Sequence, residues 1–171
     1  MVEVQVFGLI MDEESRAPVM VLRAVEGEET LPIQIGFAEA ASIAAALENI
    51  EVSRPMTHDL LMVVLDTLDA SIERVEITDL RDSVFVAEIH LKKGRRTFKI
   101  DCRPSDAAAL ALRAGAQIFV ADEVFLKAAP ADAAEASRLQ WLAFFHALEA
   151  SENPDSVLDS DPEKTVHSNV I

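Results

Sequence analysis

Apolar residues alternate at Val2, Val4 and Val6, and this period of two predicts a first strand running to about Ile10. The charged stretch from Asp12 to Arg16 reads as a turn and Pro18 to Val25 as a second strand. Glu26-Gly27-Glu28-Glu29 then turns the chain into a third strand over Thr30 to Ile35. Gly36 breaks the alternation, and the period lengthens. Ala40, Ile43, Ala44 and Leu47 mark the buried face of a helix expected over Phe37 to Ile50. A second helix follows Arg54-Pro55-Met56, with Thr57 as its expected N-cap and Leu60, Leu61, Val64, Leu65 and Leu68 as its apolar face.

Strand spacing returns at Ile72, Val75 and Ile77. Asp79-Leu80-Arg81-Asp82 reads as a turn, and Val84 to Lys92 as the next strand. Lys93-Gly94 is the expected two-residue loop of a hairpin whose second arm is Arg95 to Cys102. In that register Glu88 faces Lys99 and Ile89 faces Phe98. Phe85, Ala87, Ile89 and Leu91 then share an apolar face with Phe98, Ile100 and Cys102. Pro104 makes a rigid corner, Ser105 is the expected N-cap of an alanine-rich helix over residues 105–114, Gln117 to Val120 is a short buried strand, and Asp122-Glu123 opens a last turn. The order β-β-β-α-α-β-β-β-α-β predicts an α+β fold, a mixed or antiparallel sheet with short packed helices.

The pattern changes near Ala129, so residues 1–128 are the expected domain. Residues 129–150 are a helical appendage: Asp132 to Ala150 has the spacing of an amphipathic helix, with Leu139, Leu142, Phe145 and Leu148 in its stripe and Trp141 and Phe144 widening it. Residues 151–171 are polar, acidic and proline-containing, an expected disordered tail.

Charge narrows the possible partners. The 171 residues carry 30 acidic and 15 basic side chains, a formal net charge of -15. That balance opposes broad attachment to nucleic acid or an anionic membrane but leaves room for a local basic groove. A single cysteine, Cys102, rules out an intramolecular disulfide, and its place in a strand's apolar pattern favours a buried thiol over a nucleophile. Charges interrupt the apolar runs before they reach membrane-spanning length, and the N-terminus lacks a basic flank followed by an apolar stretch, so a cytoplasmic location is expected.

Two corners share a chemical logic. Arg103-Pro104-Ser105-Asp106 and Arg54-Pro55-Met56-Thr57-His58-Asp59 each hold an arginine extended ahead of a helix start that carries an aspartate in its first turn. Backbone N–H groups at such a start favour an anion, and a guanidinium fork suits phosphate. Glu39 puts a carboxylate in the first turn of another helix, Asp101 ends a strand, and Asp79, Asp82 and Glu123 lie on or near turns. Carboxylates of this kind ligate hard cations alongside substrate phosphate, and an imidazole such as His58 titrates near neutrality, which suits acid–base work. Plainer roles fit the same residues. Asp59 and Asp106 complement helix dipoles, Arg54 and Arg103 could pair with Glu39 or Asp101, and His58 could be a polar residue of a cap. His90 and His146 read as structural or solvated, and Asp79 to Asp82 as a turn. Lys92, Lys93, Arg95, Arg96 and Lys99 form a basic hairpin, in the plain reading a solvated tip and otherwise a guide for a nucleic-acid backbone. No P-loop, dinucleotide fingerprint, zinc spacing or nucleophile elbow is present.

Leu31-Pro32-Ile33-Gln34-Ile35-Gly36 with Glu39-Ala40 and Ile43-Ala44, Arg54 to Leu60, Ile77-Thr78-Asp79-Leu80-Arg81-Asp82, Asp101 to Ala107, and Gly115 to Val120 together resemble the bifunctional nuclease domain family. The resemblance spans about residues 1–128, in order. It implies combined DNase and RNase activity, and it places Glu39, His58, Asp59, Asp101, Arg103, Ser105 and Asp106 at motif positions. Gln34 departs from a common tryptophan and Ser83 from a common glycine after the turn aspartate. No additional C-terminal interaction motif of the kind found in plant relatives is recognised in residues 129–171.

The expectation is therefore a metal-dependent phosphodiesterase acting on DNA or RNA. Glu39 and Asp106 would hold magnesium or manganese, with Asp101 as a further ligand. Arg54 and Arg103 would grip phosphate, assisted by Lys93 and Arg95, and His58 would move protons. His58, Asp59, Asp101 and Ser105 are the candidate catalytic set. The alternative is a non-catalytic module of the same fold that binds an anion or a partner. No membrane partner is expected, and the 132–150 helix is a candidate surface for homo-oligomer formation.

Overall fold

A computed structural model describes residues 1–128. It contains strands β1 (Val2–Met11), β2 (Pro18–Ala24) and β3 (Thr30–Gln34), then helices α1 (Phe37–Leu47) and α2 (Thr57–Thr67). Strands β4 (Ser71–Arg81), β5 (Val84–Lys93) and β6 (Arg96–Cys102) follow, then α3 (Pro104–Ala114), β7 (Gln117–Val120) and α4 (Asp122–Ala128). The fold is α+β. The expected helical appendage at 129–150 and tail at 151–171 lie outside the described residues.

Two antiparallel meanders make one seven-stranded sheet in the order β3-β2-β1-β7-β4-β5-β6. The short β7 joins them. It runs antiparallel to β1, pairing Ile118 with Val4, and parallel to β4, pairing Ile118 with Val75 and Val120 with Ile77. A strand flanked on both sides needs apolar residues, and Ile118 and Val120 are buried. The core lies between the sheet and the helices, where Met20, Leu22, Leu31, Ile43, Ile77 and Leu110 are almost wholly enclosed. Helix α3 packs on α1 and α2 as well as on β4 and β5, and its buried Ala107, Ala108, Ala109 and Ala111 are small enough to let its backbone approach these neighbours closely. Gly115, at φ +62°, ends α3 in the left-handed conformation that closes many helices.

Several sequence expectations are corrected. Asp122-Glu123 opens a fourth helix rather than a turn. Helix α1 stops at Leu47, ahead of Asn49 at φ +50°. Met56 is the N-cap of α2 and Arg103 that of α3, so Thr57 and Ser105 are helical residues and not caps. Proline explains the second case: its fixed φ and missing N–H suit the first helical position, which moves the cap back to Arg103. Helix α2 fully buries none of its residues, and Leu60, Leu61, Val64 and Leu68 of its predicted core face are exposed.

The hairpins differ from expectation too. Strand β4 continues through Asp79 to Arg81, and Asp82-Ser83 forms the turn, both at positive φ. The β5–β6 loop is Gly94-Arg95, with Lys93 opposite Arg96, so Glu88 faces Asp101 and His90 faces Lys99. Gly94, at φ +60°, occupies the first turn position, where a two-residue loop of this kind needs glycine. The two-residue shift from the expected register is even, so every side chain keeps its predicted face. Lys99 still reaches Glu88 diagonally, at 3.0 Å.

Ser83 carries a side chain in left-handed backbone, at φ +64°. Ser83→Gly is expected to stabilise the domain by roughly 0.5–1 kcal/mol, read as a higher urea midpoint with an unchanged denaturant slope.

Candidate functional site

Three helices begin near one point, and each carries an acidic residue three positions past its cap: Glu39 in α1, Asp59 in α2 and Asp106 in α3. The Asp59 carboxylate accepts the Met56 backbone N–H at 2.9 Å, closing the first turn of α2 and fixing His58 within it. Gly36 leaves room for the Glu39 carboxylate: a Cβ there would push Oε2 of that side chain from its place. Extended backbone at Arg103, followed by Pro104, sets the arginine beside the start of α3.

A chain of polar contacts ties these starts together. Arg103 donates from Nε to Asp106 Oδ2 at 2.7 Å and from Nη2 to Asp106 Oδ1 at 3.0 Å, a two-point grip. Its Nη1 lies 2.8 Å from Glu39 Oε1. His58 Nε2 is 3.1 Å from Asp106 Oδ1, and His58 Nδ1 is 2.8 Å from the hydroxyl of buried Ser42. The order Glu39–Arg103–Asp106–His58–Ser42 thus links α1, α2 and α3 in one network. Beside it, Arg113 Nε donates to Asp59 Oδ1 at 2.5 Å, Nη1 to the Ala109 carbonyl at 2.9 Å and Nη2 to the Ser42 carbonyl at 3.2 Å.

The electrostatics follow from these partners. The Arg103 guanidinium holds Asp106 below the usual carboxylate range; burial opposes this and His58 adds to it. In return, the Asp106 carboxylate raises Arg103 further above its ordinary value. An ionised Asp106 accepts a hydrogen bond, which assigns a proton to His58 Nε2, while the Ser42 hydroxyl, able to donate or accept, completes the contact at Nδ1. Both ring nitrogens are therefore engaged. Arg113, with the Met56 N–H, lowers Asp59. Burial, with Asp106 and Asp101 nearby, pushes the Cys102 thiol up to about 12, so this cysteine is a poor nucleophile at neutral pH.

The depressed carboxylates carry a pH signature. A group whose folded pKa lies below its unfolded value of about 4 contributes stability above that value and loses it as pH falls through the folded pKa. Stability is therefore expected to fall on acidification below about pH 4. Asp106→Asn should be less stable than the parent at pH 7 and lose less between pH 6 and pH 3, as read by urea midpoints along a pH series.

The structure brings Glu39, His58, Arg103 and Asp106 into contact, with Asp59 bound to the same frame through Arg113. Ser105, in the first turn of α3, is buried at 5% exposure. Asp101 neighbours Cys102 on β6 and so points to the opposite sheet face; like Arg54, it is exposed and makes no ion pair or side-chain hydrogen bond among the described residues. Lys93 and Arg95 lie at the far end of the β5–β6 hairpin. Strand β6 separates that tip from the corner by roughly 20 Å, at about 3.3 Å per residue.

The expected metal ligands Glu39 and Asp106 are spanned by Arg103, whose guanidinium stands where a cation shared between them would sit. This donor set does not fit magnesium or manganese without displacing the arginine. Among the described residues, one group has ligand atoms gathered as a metal requires: Glu76, Glu88 and His90. Sequence reasoning also passed over Ser42 and Arg113. Arg113 carried a faint signal as a charged residue in the last turn of a helix that is apolar from Ala107 to Leu112. Ser42 carried none.

The bifunctional nuclease domain model matches residues 20–132. An uncharacterised protein of Mycobacterium tuberculosis is 39% identical over 126 residues, covering 74% of this chain and 75% of that protein. Bifunctional nuclease 2 of Oryza sativa subsp. japonica is 32% identical over 110 residues, covering 62% of this chain and 34% of the rice protein. Bifunctional nuclease 1 of Oryza sativa subsp. indica is 27% identical over 98 residues, covering 55% of this chain and 30% of the rice protein. No helix among the described residues is long and apolar enough to cross a membrane. With the match extending from β2 through the corner to the end of α4, the chain belongs to the bifunctional nuclease domain family.

Proposed function

We propose that the three-helix corner binds a phosphodiester of DNA or RNA and promotes its hydrolysis. The observation that carries this reading is Arg103, 63% exposed on its side chain and held by two carboxylates at the meeting point of three helix N-termini. The partial positive charge of each helix start and the guanidinium fork favour a bound phosphate. When phosphate oxygens take over Arg103, Asp106 loses the contact that most depresses its pKa and becomes a better proton acceptor for an attacking water. His58, through Nε2, keeps that carboxylate oriented, and Ser42 fixes the ring. The basic hairpin tip, roughly 20 Å away, would meet phosphates about six base pairs along a duplex, at about 3.4 Å per base pair.

The test is cleavage of single- and double-stranded DNA and RNA by purified protein, with added divalent metal and with EDTA. Cleavage that co-purifies with the chain and is lost in Arg103→Ala supports the reading; absence of cleavage on all four substrates overturns it. The EDTA arm reads metal dependence directly. A non-catalytic anion-binding module is favoured by one observation, the occupation of both candidate metal carboxylates by Arg103. It predicts phosphate or oligonucleotide binding that Arg103→Ala removes, without turnover.

A further inference from the structure

Strands β4 and β5 bury Val75, Ile77, Ala87 and Ile89 in the core with α3. The intervening residues Glu76, Glu88 and His90 therefore point to the opposite sheet face. Glu76 and Glu88 are direct cross-strand partners, and His90 follows Glu88 on the same face. Two carboxylates placed directly opposite each other repel, and burying them is costly unless something binds both. Glu76 and His90 are nonetheless only 8% and 6% exposed.

The protein's own cations satisfy one carboxylate oxygen on each glutamate. Arg74 Nε donates to Glu76 Oε1 at 2.6 Å, and Lys99 Nζ donates to Glu88 Oε2 at 3.0 Å. Glu76 Oε2 is left facing His90 Nε2 at 3.0 Å, with Glu88 Oε2 3.7 Å from the same nitrogen. Despite these separations the buried Nε2 has no hydrogen-bond partner: Glu76 Oε2 lies off the line of its hydrogen, and Glu88 Oε2 is out of hydrogen-bond reach. An imidazole nitrogen and a carboxylate oxygen in close approach but out of line are arranged as two ligands aimed at a common third point. Two ligand atoms each about 2.1 Å from a metal, and near a right angle, stand about 3 Å apart. One ligand atom from each of the three residues falls within 4.8 Å of the others.

We propose that Glu76, Glu88 and His90 form a binding site for a divalent transition metal of the zinc and manganese class, on the sheet face away from the three-helix corner. The imidazole selects against calcium and magnesium, which prefer all-oxygen shells, and three protein ligands leave room for water. Arg74 holds the outer oxygen of Glu76 and so orients its inner one, whereas Lys99 holds the same Glu88 oxygen that faces His90, so an ion takes that oxygen in place of Lys99 or binds the other. The ion replaces the Glu76–Glu88 repulsion with a shared bond across β4 and β5. Nothing in this site depends on the corner being catalytic.

The experiment titrates EDTA-stripped full-length protein with zinc chloride by calorimetry and with cobalt(II) by visible absorption, and follows the melting temperature. The expected result is one tight equivalent, a cobalt spectrum that zinc abolishes, and a melting temperature raised by several degrees. Glu76→Gln and His90→Gln should each weaken binding by about a hundredfold. Should either variant fail to fold, Glu88→Gln, at a more exposed position, must show the same loss. Absence of zinc binding by the parent protein overturns the site. So does binding of unchanged affinity in the variants, which would move the ion to other histidines such as His58, His146 or His167.

Discussion

Asp106→Asn is expected to lower phosphodiester cleavage by about two orders of magnitude or more while leaving the domain folded. Asn keeps the size of the side chain and can still accept a hydrogen bond from His58 Nε2, now 3.1 Å from Oδ1. What it lacks is the charge that takes a proton and that competes with phosphate for Arg103. The two losses act on different kinetic constants. Turnover should collapse because the acceptor is gone, whereas KM should hold or fall because Arg103 is freer to meet the substrate. A purely structural carboxylate would give neither pattern: cleavage would track the folded fraction. Initial rates over a substrate range, with circular dichroism on the same samples, separate the cases. Cleavage within threefold of the parent would sink the role given to Asp106.

Arg113→Leu should produce the largest loss of stability of any change near the corner, about 3 kcal/mol. The Arg113 side chain is 11% exposed and binds one element at each donor: Asp59 on α2, the Ser42 carbonyl on α1 and the Ala109 carbonyl on its own helix. Leucine fills the space but takes the cation from Asp59 Oδ1, leaving that carboxylate only the Met56 N–H, and removes the tie from α3 to the Ser42 carbonyl. Helix α2 depends on this clasp more than an ordinary amphipathic helix would, since it fully buries none of its side chains. The loss should appear as a lower urea midpoint, and combining Arg113→Leu with Asp59→Asn should cost less than the two singles added together, with a coupling of at least about 1 kcal/mol. Because His58 rides on α2, cleavage should also fall under conditions where the variant remains folded.

The strand order along the chain, the α+β class and both Arg-Pro corners were readable from local patterns. Alternation at Val2, Val4 and Val6 depends only on one buried face, and proline biases the residue before it towards extended backbone, as at Arg103. Helix caps were less legible, because the Asp59 carboxylate set the start of α2 one residue before Thr57 and Pro104 set the cap of α3 two residues before Ser105. The β5–β6 register was missed by two residues for a similar local reason, the position of Gly94 within its turn.

By itself, then, the sequence determined which residues alternate, where the chain must turn, and that Glu39, His58, Arg103 and Asp106 sit in or next to helix first turns. Those outcomes rest on backbone dihedral limits and on the period of burial, which act over a few residues. Only the tertiary structure decided that β7 joins two meanders, that His58 reaches Asp106 across 48 positions of chain, and that Arg113 bridges to Asp59 across 54. It also decided that Arg103 spans Glu39 and Asp106 and that Glu76 lies opposite Glu88 beside His90. Charge pairing over such separations is set by how helices and strands pack, and packing is cooperative, so no single stretch of the chain encodes it.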